Sequence, residues 1–492
     1  MSLWRPCPAI YEIHTWPWLE GLSRRYGRPV DLGTVPEAVW DGLAGFGFDA
    51  VWLMGVWERS PAGRTEALRY PTLREAYLGA LPDFREEDVV GSPYCVRRYV
   101  ADARLGGAEG LAAARAALAA RGVRLLLDFV PNHVARDHPW TEEHPEYLIP
   151  GDPNRLHLQP DHFFEAGGRI FAHGRDPYFP PWTDTAQVNA FHPGLRQAYG
   201  ELLREIAAQC DGVRCDMAML VMDHVFSQTW ADWAEEAPPV EFWEELIGAV
   251  KADCPDFLFV AEAYWGTELE LCQQGFDYCY DKGLYDRLRR GTAEEVRAHL
   301  RAQEGFRDRL VRFVENHDEE RAAAVFGPEK SRAAALAAST LPGARLFHEG
   351  QFGGYRIRLP VQLGRRPDEP VDTELRRFYR VLLQELSAPV FHDGAWTLLE
   401  PQGWEDNRSA RHVLAWAWRK EADRRLVVVN LSDAPAQGRV RLPWGDLAGR
   451  TWELVDRLSG KRYRREGQEM ADPGLFVDLP AFGGHLFRWN GG

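Results

Sequence analysis

Short apolar runs and stretches of helical periodicity alternate along most of this chain. The clearest run is residues 123–134, VRLLLDFVPNHV, where apolar positions lead into Asp128 and the chain breaks at Pro131. That pattern predicts a buried parallel strand with polar groups at its C-terminal end. Just before it, residues 109–121 carry Ala and Leu at helical spacing and stop at Gly122, as a helix closed by a glycine does. The same reading predicts strands at residues 9–13, 48–53, 210–217, 257–261, 276–280, 310–314 and 344–347. Helices are expected over 195–209, 241–251 and 375–386, and capping boxes at Thr34–Glu37 and Thr292–Glu295 open two more. Strand and helix in alternation make an α/β fold, here a (β/α)8 TIM barrel, whose chemistry sits where the strands end.

Two stretches break the alternation. Residues 132–187 are rich in Pro, Gly, His and aromatics and carry little periodicity. A loop this long in a compact domain is usually functional. From about residue 389 the texture becomes short β runs separated by Gly, Pro and Asp, at 413–418, 425–430, 439–442, 452–454 and 476–479, with a hairpin tip at Leu458-Ser459-Gly460. The expected organisation is a barrel in two parts (1–131 and 191–388), an inserted loop-rich domain (132–190) and a C-terminal all-β sandwich (389–492).

Composition narrows the function. A chain of 492 residues with 45% hydrophobic content can bury a large core, and a formal charge of −15 argues against a nucleic-acid partner. No apolar stretch is long enough for a membrane span. The N-terminus MSLWRPCPAIYE lacks the pattern of a signal peptide, and the 7 Cys form no C-x-x-C pair. The expectation is a cytoplasmic protein without zinc or a disulfide framework.

Four predicted strand ends offer polar groups: Asp128 with His133, Arg214 with Asp216, Glu262, and His317 with Asp318. Arg214 and Asp216 share a strand face, so the guanidinium is expected to orient the carboxylate and lower its pKa. Glu262 follows an apolar run with no basic residue, so its pKa is expected to rise. One ionised carboxyl beside one protonated carboxyl suits the cleavage of an acetal through an oxocarbenium-like state.

The stretches DFVPNH, GVRCDMAML, AEAYW and VENHD, in this order, resemble the four signature regions of glycoside hydrolase family 13, the α-amylase family, across residues 10–391. The resemblance implies a retaining enzyme acting on α-glucans or small α-glucosides through a covalent glycosyl-enzyme. In it Asp216 is the nucleophile, Glu262 the general acid/base and Asp318 the third carboxylate. Tyr94, in GSPYCVRRY, would join His133, Arg214 and His317 around the sugar, although Arg98 stands where the family has Asp. Asp128 and Asn132 would serve as scaffold, Asp128 being as easily a plain capping residue. Trp265 stacks on an acceptor sugar or simply packs, and Glu349 faces the mouth or starts a helix. His14, Trp16 and Trp18 are expected mostly to pack.

In the family Asn132 often binds a structural calcium with a His four residues after the nucleophile. Here that position is Leu220, preceded by Met219 in place of a usual Lys, and Gln187 replaces a usual acidic residue. No cofactor is expected and no metal ligand is assigned. Met217 fits neither the 1,4 nor the 1,6 habit of the residue after the nucleophile. Water is the default acceptor. A sugar, polyol or phosphate acceptor would instead make a transglycosidase, a trehalose-forming isomerase or a phosphorylase. A non-catalytic carbohydrate-binding relative is the reading from another class.

Overall fold

The structure, a computed structural model, describes residues 4–233 and 236–490. Eight parallel strands close into a barrel, each pairing with its sequence neighbours: β1 (Ala9–His14), β2 (Ala50–Met54), β3 (Arg124–Phe129), β4 (Gly212–Cys215), β5 (Leu258–Ala261), β6 (Tyr278–Tyr280), β7 (Leu310–Arg312) and β8 (Ala344–His348). Their residues are buried almost without exception, because helices cover the outer face while side chains fill the lumen. That is why these strands read as unbroken apolar runs. Gly212 shows how tightly the layers meet: a Cβ there would lie 2.6 Å from the Leu258 carbonyl oxygen.

Between β3 and β4 the chain leaves the barrel. His133–Ala135 pairs antiparallel with Thr185–Gln187, and Phe163–Ala166 pairs with Arg169–Ala172 in a hairpin. This small module therefore hangs directly on the exit of β3. The connection from β2 to β3 carries a second outgrowth, in which Trp57–Arg59 pairs with Val96–Ala101 and Tyr94 sits in the turn just before the second of these strands.

The C-terminal part contains β9 (Ala395–Leu399), β10 (Val413–Lys420), β11 (Asp423–Asn430), β12 (Ala436–Val440), β13 (Thr451–Asp456), β14 (Arg462–Glu466), β15 (Leu475–Leu479) and β16 (Gly484–Asn490). Six form one antiparallel sheet in the order β9-β10-β11-β16-β13-β14, and β12 pairs with β15 across from it. Alternation divides the large sheet's side chains between two cores. Leu414, Trp416, Trp418, Val427 and Val429 join the barrel's core, while Val413, Ala415, Ala417, Leu426 and Val428 pack with Val440 and Val477 of the smaller sheet. Trp416 and Trp418 also donate to Thr340 Oγ1 (3.2 Å) and the Thr340 carbonyl (2.8 Å) at the end of helix Pro328–Ser339.

One of the two expected capping boxes fails. Thr34 does not cap the helix Glu37–Ala44: its hydroxyl bonds Asp31, and the N-cap is Pro36 with no side-chain bond. The Thr292 box does form, with Thr292 Oγ1 accepting from the Glu295 amide at 3.2 Å.

Candidate active site

The ends of β3, β4 and β5 are laced together beyond the last barrel residues. Asp216 N donates to the Phe129 carbonyl (2.8 Å), and Glu262 N donates to the Cys215 carbonyl (3.0 Å). Met217 then turns into the left-handed region (φ 43°), and its amide donates to Glu262 Oε2 at 2.6 Å. Asp216 and Glu262 are thus carried to one rim by the ladder itself. One strand further round, Asp128 lies in register with Arg214. Asp128 accepts from Trp52 Nε1 (3.1 Å) and the Gly55 amide (2.8 Å), while its carbonyl accepts from Trp57 Nε1 (2.7 Å). It holds the exit of β2 against β3 and caps no helix. Burial, only partly opposed by Arg214, pushes its carboxyl up to about 6.

Arg214 is the hub. Its Nη1 donates to Asp216 Oδ1 at 2.6 Å, its Nη2 lies 2.8 Å from Glu262 Oε2 and 3.9 Å from Asp318 Oδ2. The guanidinium carbon sits 5.1 Å from the Tyr94 ring and 5.4 Å from the Trp52 ring. Two electrostatic expectations are corrected here. Glu262 is not free of basic neighbours, because Arg214 serves it as well as Asp216. Nor is the Asp216 carboxyl lowered: burial outweighs Arg214, and it lies above the ordinary aspartate value. Burial also dominates at Glu262, against Arg214, and raises its carboxyl to about 7. The rise at Glu262 was legible in the apolar run before it, but the rise at Asp216 was not, since it depends on how one cation is shared among strand ends.

The third carboxylate is set by a relay. His317 Nε2 lies 3.0 Å from Asp318 Oδ2 and 2.6 Å from the Tyr94 hydroxyl, and its Nδ1 lies 2.5 Å from Glu12 Oε1. Burial alone would make this imidazole neutral, but Asp318 and Glu12 outweigh it and raise His317 to about 10. Burial disfavours the Asp318 anion, yet His317 holds its carboxyl well below the usual range. Its side chain remains 39% exposed, facing the mouth. His133 is held by the Tyr94 carbonyl (3.1 Å), and burial lowers it to about 4, leaving it neutral. Glu12 and Tyr264, whose hydroxyl donates to Glu262 Oε1 at 2.8 Å, were missed in the sequence. An acidic residue amid AIYEIH was the available signal for Glu12.

The remaining candidates divide. Trp265 lies outside this cluster, 44% exposed, at φ 61° and edge-on to Tyr178 (4.9 Å). With Met217 and Tyr264 it lines a cavity of about 630 Å³ beside Glu262. Glu349 faces the mouth, paired with Arg366 (2.6 Å). Trp18 packs on Trp40 (5.5 Å), and Trp16 lies under Arg104 (4.5 Å). Arg98 is exposed and pairs with Glu58 (3.1 Å). Asn132 Oδ1 accepts from Gln187 Nε2 at 3.1 Å, and Leu220 is buried in the core. Two neutral amides and an alkyl group do not make a calcium site. Among the described residues no group of His, Cys, Asp and Glu is arranged to hold a metal.

A parallel barrel with carboxylates gathered round an arginine at its C-terminal mouth is the layout of a barrel glycosidase. Comparison with known proteins narrows the class. No protein-family model matches the chain. It is 30% identical over 346 residues to α-amylase MalA of Haloarcula japonica, covering 66% of this chain and 45% of that protein. It is 26% identical over 306 residues to an α-1,4-glucan:maltose-1-phosphate maltosyltransferase of Streptomyces coelicolor, covering 58% and 38%. The chain thus spans about half or less of the length of these relatives. Its fold matches the maltogenic α-amylase AmyB of Thermotoga neapolitana over 98% of this chain and 99% of that one, with a TM-score of 0.69 at 19% identity. The chain is thus similar in sequence to an α-amylase and to a maltosyltransferase, and in fold to α-amylases.

Proposed function

We propose that this chain is a retaining α-glycosidase of the amylase or α-glucosidase type, acting on α-glucans or small α-glucosides. The observation that supports it best is the convergence of Asp216, Glu262 and Asp318 on Arg214. Two carboxyls on one guanidinium, at 2.6 and 2.8 Å, form the compact pair that a retaining mechanism needs. Asp216 attacks the anomeric carbon while Glu262 gives its proton to the leaving oxygen, forming a glycosyl ester. Glu262, now a carboxylate, takes a proton from the incoming acceptor as the ester breaks. Asp318 and the charged His317 grip the sugar's hydroxyls as the ring flattens, with Tyr94 and His133 alongside. In this reading residues 1–131 and 191–388 are the catalytic barrel, 132–190 a wall over the sugar, and 389–492 a supporting sandwich.

Water is the acceptor in this reading. The roomy cavity at Met217, Tyr264 and Trp265 favours one second reading, in which a sugar occupies that space and intercepts the ester. Proton NMR of the enzyme with maltotriose separates the two. Fresh α-anomeric reducing ends that later mutarotate are expected for the hydrolase. New linkages without net reducing ends would make it a transglycosidase, and β-anomeric first products would overturn retention.

No helix among the described residues is long and apolar enough to cross a membrane. All 7 cysteines are free thiols, and all but Cys254 are buried, which supports a reducing, cytoplasmic setting.

A further inference from the structure

The two ends of the site differ in depth. A general acid protonates the leaving oxygen, so the leaving group lies on the Glu262 side, where the cavity of about 630 Å³ opens. The transferred sugar lies on the other side, against His317 and Asp318. Beyond that sugar, the space bounded by His14, His317, His348 and Glu349 measures only about 30 Å³, room for water but not for a second sugar ring.

A strap closes this end. Residues 355–372 leave β8, cross the mouth and tie down onto the connection from β2 to β3. Val90 N donates to the Gln362 carbonyl (2.8 Å), Gly364 N to the Asp88 carbonyl (2.7 Å), and Arg365 pairs with both oxygens of Asp88 (2.6 and 2.8 Å). Under the strap Arg366 forks onto both oxygens of Glu349. Glu349 is itself fixed through its backbone, its amide donating to the Glu12 carbonyl (2.9 Å) and its carbonyl accepting from Arg321 Nη2 (2.9 Å). Paired charges and backbone bonds at both edges make this a built wall. Facing the small space, His14 Nε2 is buried and has no hydrogen-bond partner. Such an atom needs a polar group from outside the chain, and a sugar hydroxyl supplies one.

We infer that the glycosyl side accepts a single sugar unit and recognises its free non-reducing end, with Glu349 and Arg366 setting that limit. The donors are therefore small α-glucosides, or chains shortened from the non-reducing end one unit at a time, and not the interior of a polysaccharide. This rests on the retaining α-glycosidase reading above.

The test compares nitrophenyl α-glucoside with a nitrophenyl malto-oligosaccharide whose non-reducing end carries an ethylidene cap. Rapid nitrophenol release from the glucoside and almost none from the capped chain is expected. Equal release from both would overturn the wall while leaving the glycosidase reading intact. No release from either would overturn that reading and the inference with it. In the double variant Glu349→Ala/Arg366→Ala, removing both charges together, cleavage of the capped chain is expected to rise about tenfold relative to the glucoside. A folded double variant with an unchanged ratio would overturn the role of the pair.

Discussion

Glu262 and His317 owe their protonation states to neighbours reached through space. The Glu262 carboxyl stands at about 7, so the acid form needed to protonate the leaving oxygen is lost as pH rises past that value. Tyr264 donates to Glu262 Oε1, a bond that favours the charged form. In Tyr264→Phe the basic limb of the kcat/KM profile is therefore expected to move to higher pH; an unmoved or lowered limb would contradict the assignment. For His317 the sign runs the other way round. Its folded value, about 10, lies above the ordinary histidine value, so its contribution to stability is complete below about pH 6.5. That contribution is lost as pH rises through 10. Glu12→Gln removes the partner of a fully buried pair and is expected to cost about 3 kcal/mol, measurable by chemical denaturation. It should also flatten the fall in stability between neutral pH and pH 10. Full stability in the variant would show that Glu12 does not hold His317.

At the scale of elements, burial decided what the sequence could reveal. The eight barrel strands are buried on both faces, mainly by apolar residues, and were all legible, as were Asp128, Asp216, Glu262 and Asp318 at their ends. The strands that escaped notice lie in the C-terminal sheet and in the short pairs of the two outgrowths. β14 reads RYRRE and forms an edge with its charges outward, a common protection against edge pairing that hides a strand from any hydrophobic pattern. β9 is also an edge strand, with an exposed start. β16 comes close after Pro480 and opens on Gly484, and it was not assigned. Glu12, Tyr264 and the strap were invisible for another reason: their roles arise from contacts between strand ends far apart in the chain. Trp416 tests the packing that joins the two parts. It is fully buried between β10 and the end of helix Pro328–Ser339. Trp416→Ala is expected to cost about 3–5 kcal/mol while leaving KM near its original value. A loss of less than 1 kcal/mol by denaturant titration would argue against a shared core.

For the molecule as a whole, the barrel, the inserted module and one face of the large C-terminal sheet meet in one continuous core, while the sandwich keeps a second core of its own. Asn132 and Gln187 satisfy one another with uncharged amides. Treatment with a chelator is accordingly expected to leave activity and melting temperature unchanged, and a drop of several degrees would reveal a metal site. The central claim is that Asp216 carries the sugar covalently while Glu262 manages the proton. Its most direct measurement is peptide mass spectrometry of the Glu262→Gln variant quenched in acid after incubation with α-glucosyl fluoride, a donor whose leaving group needs little protonation. The account predicts one added glucosyl unit on the peptide that contains Asp216, and none in Asp216→Asn. A sugar adduct on any other residue, or turnover by Asp216→Asn at the original rate, would contradict it.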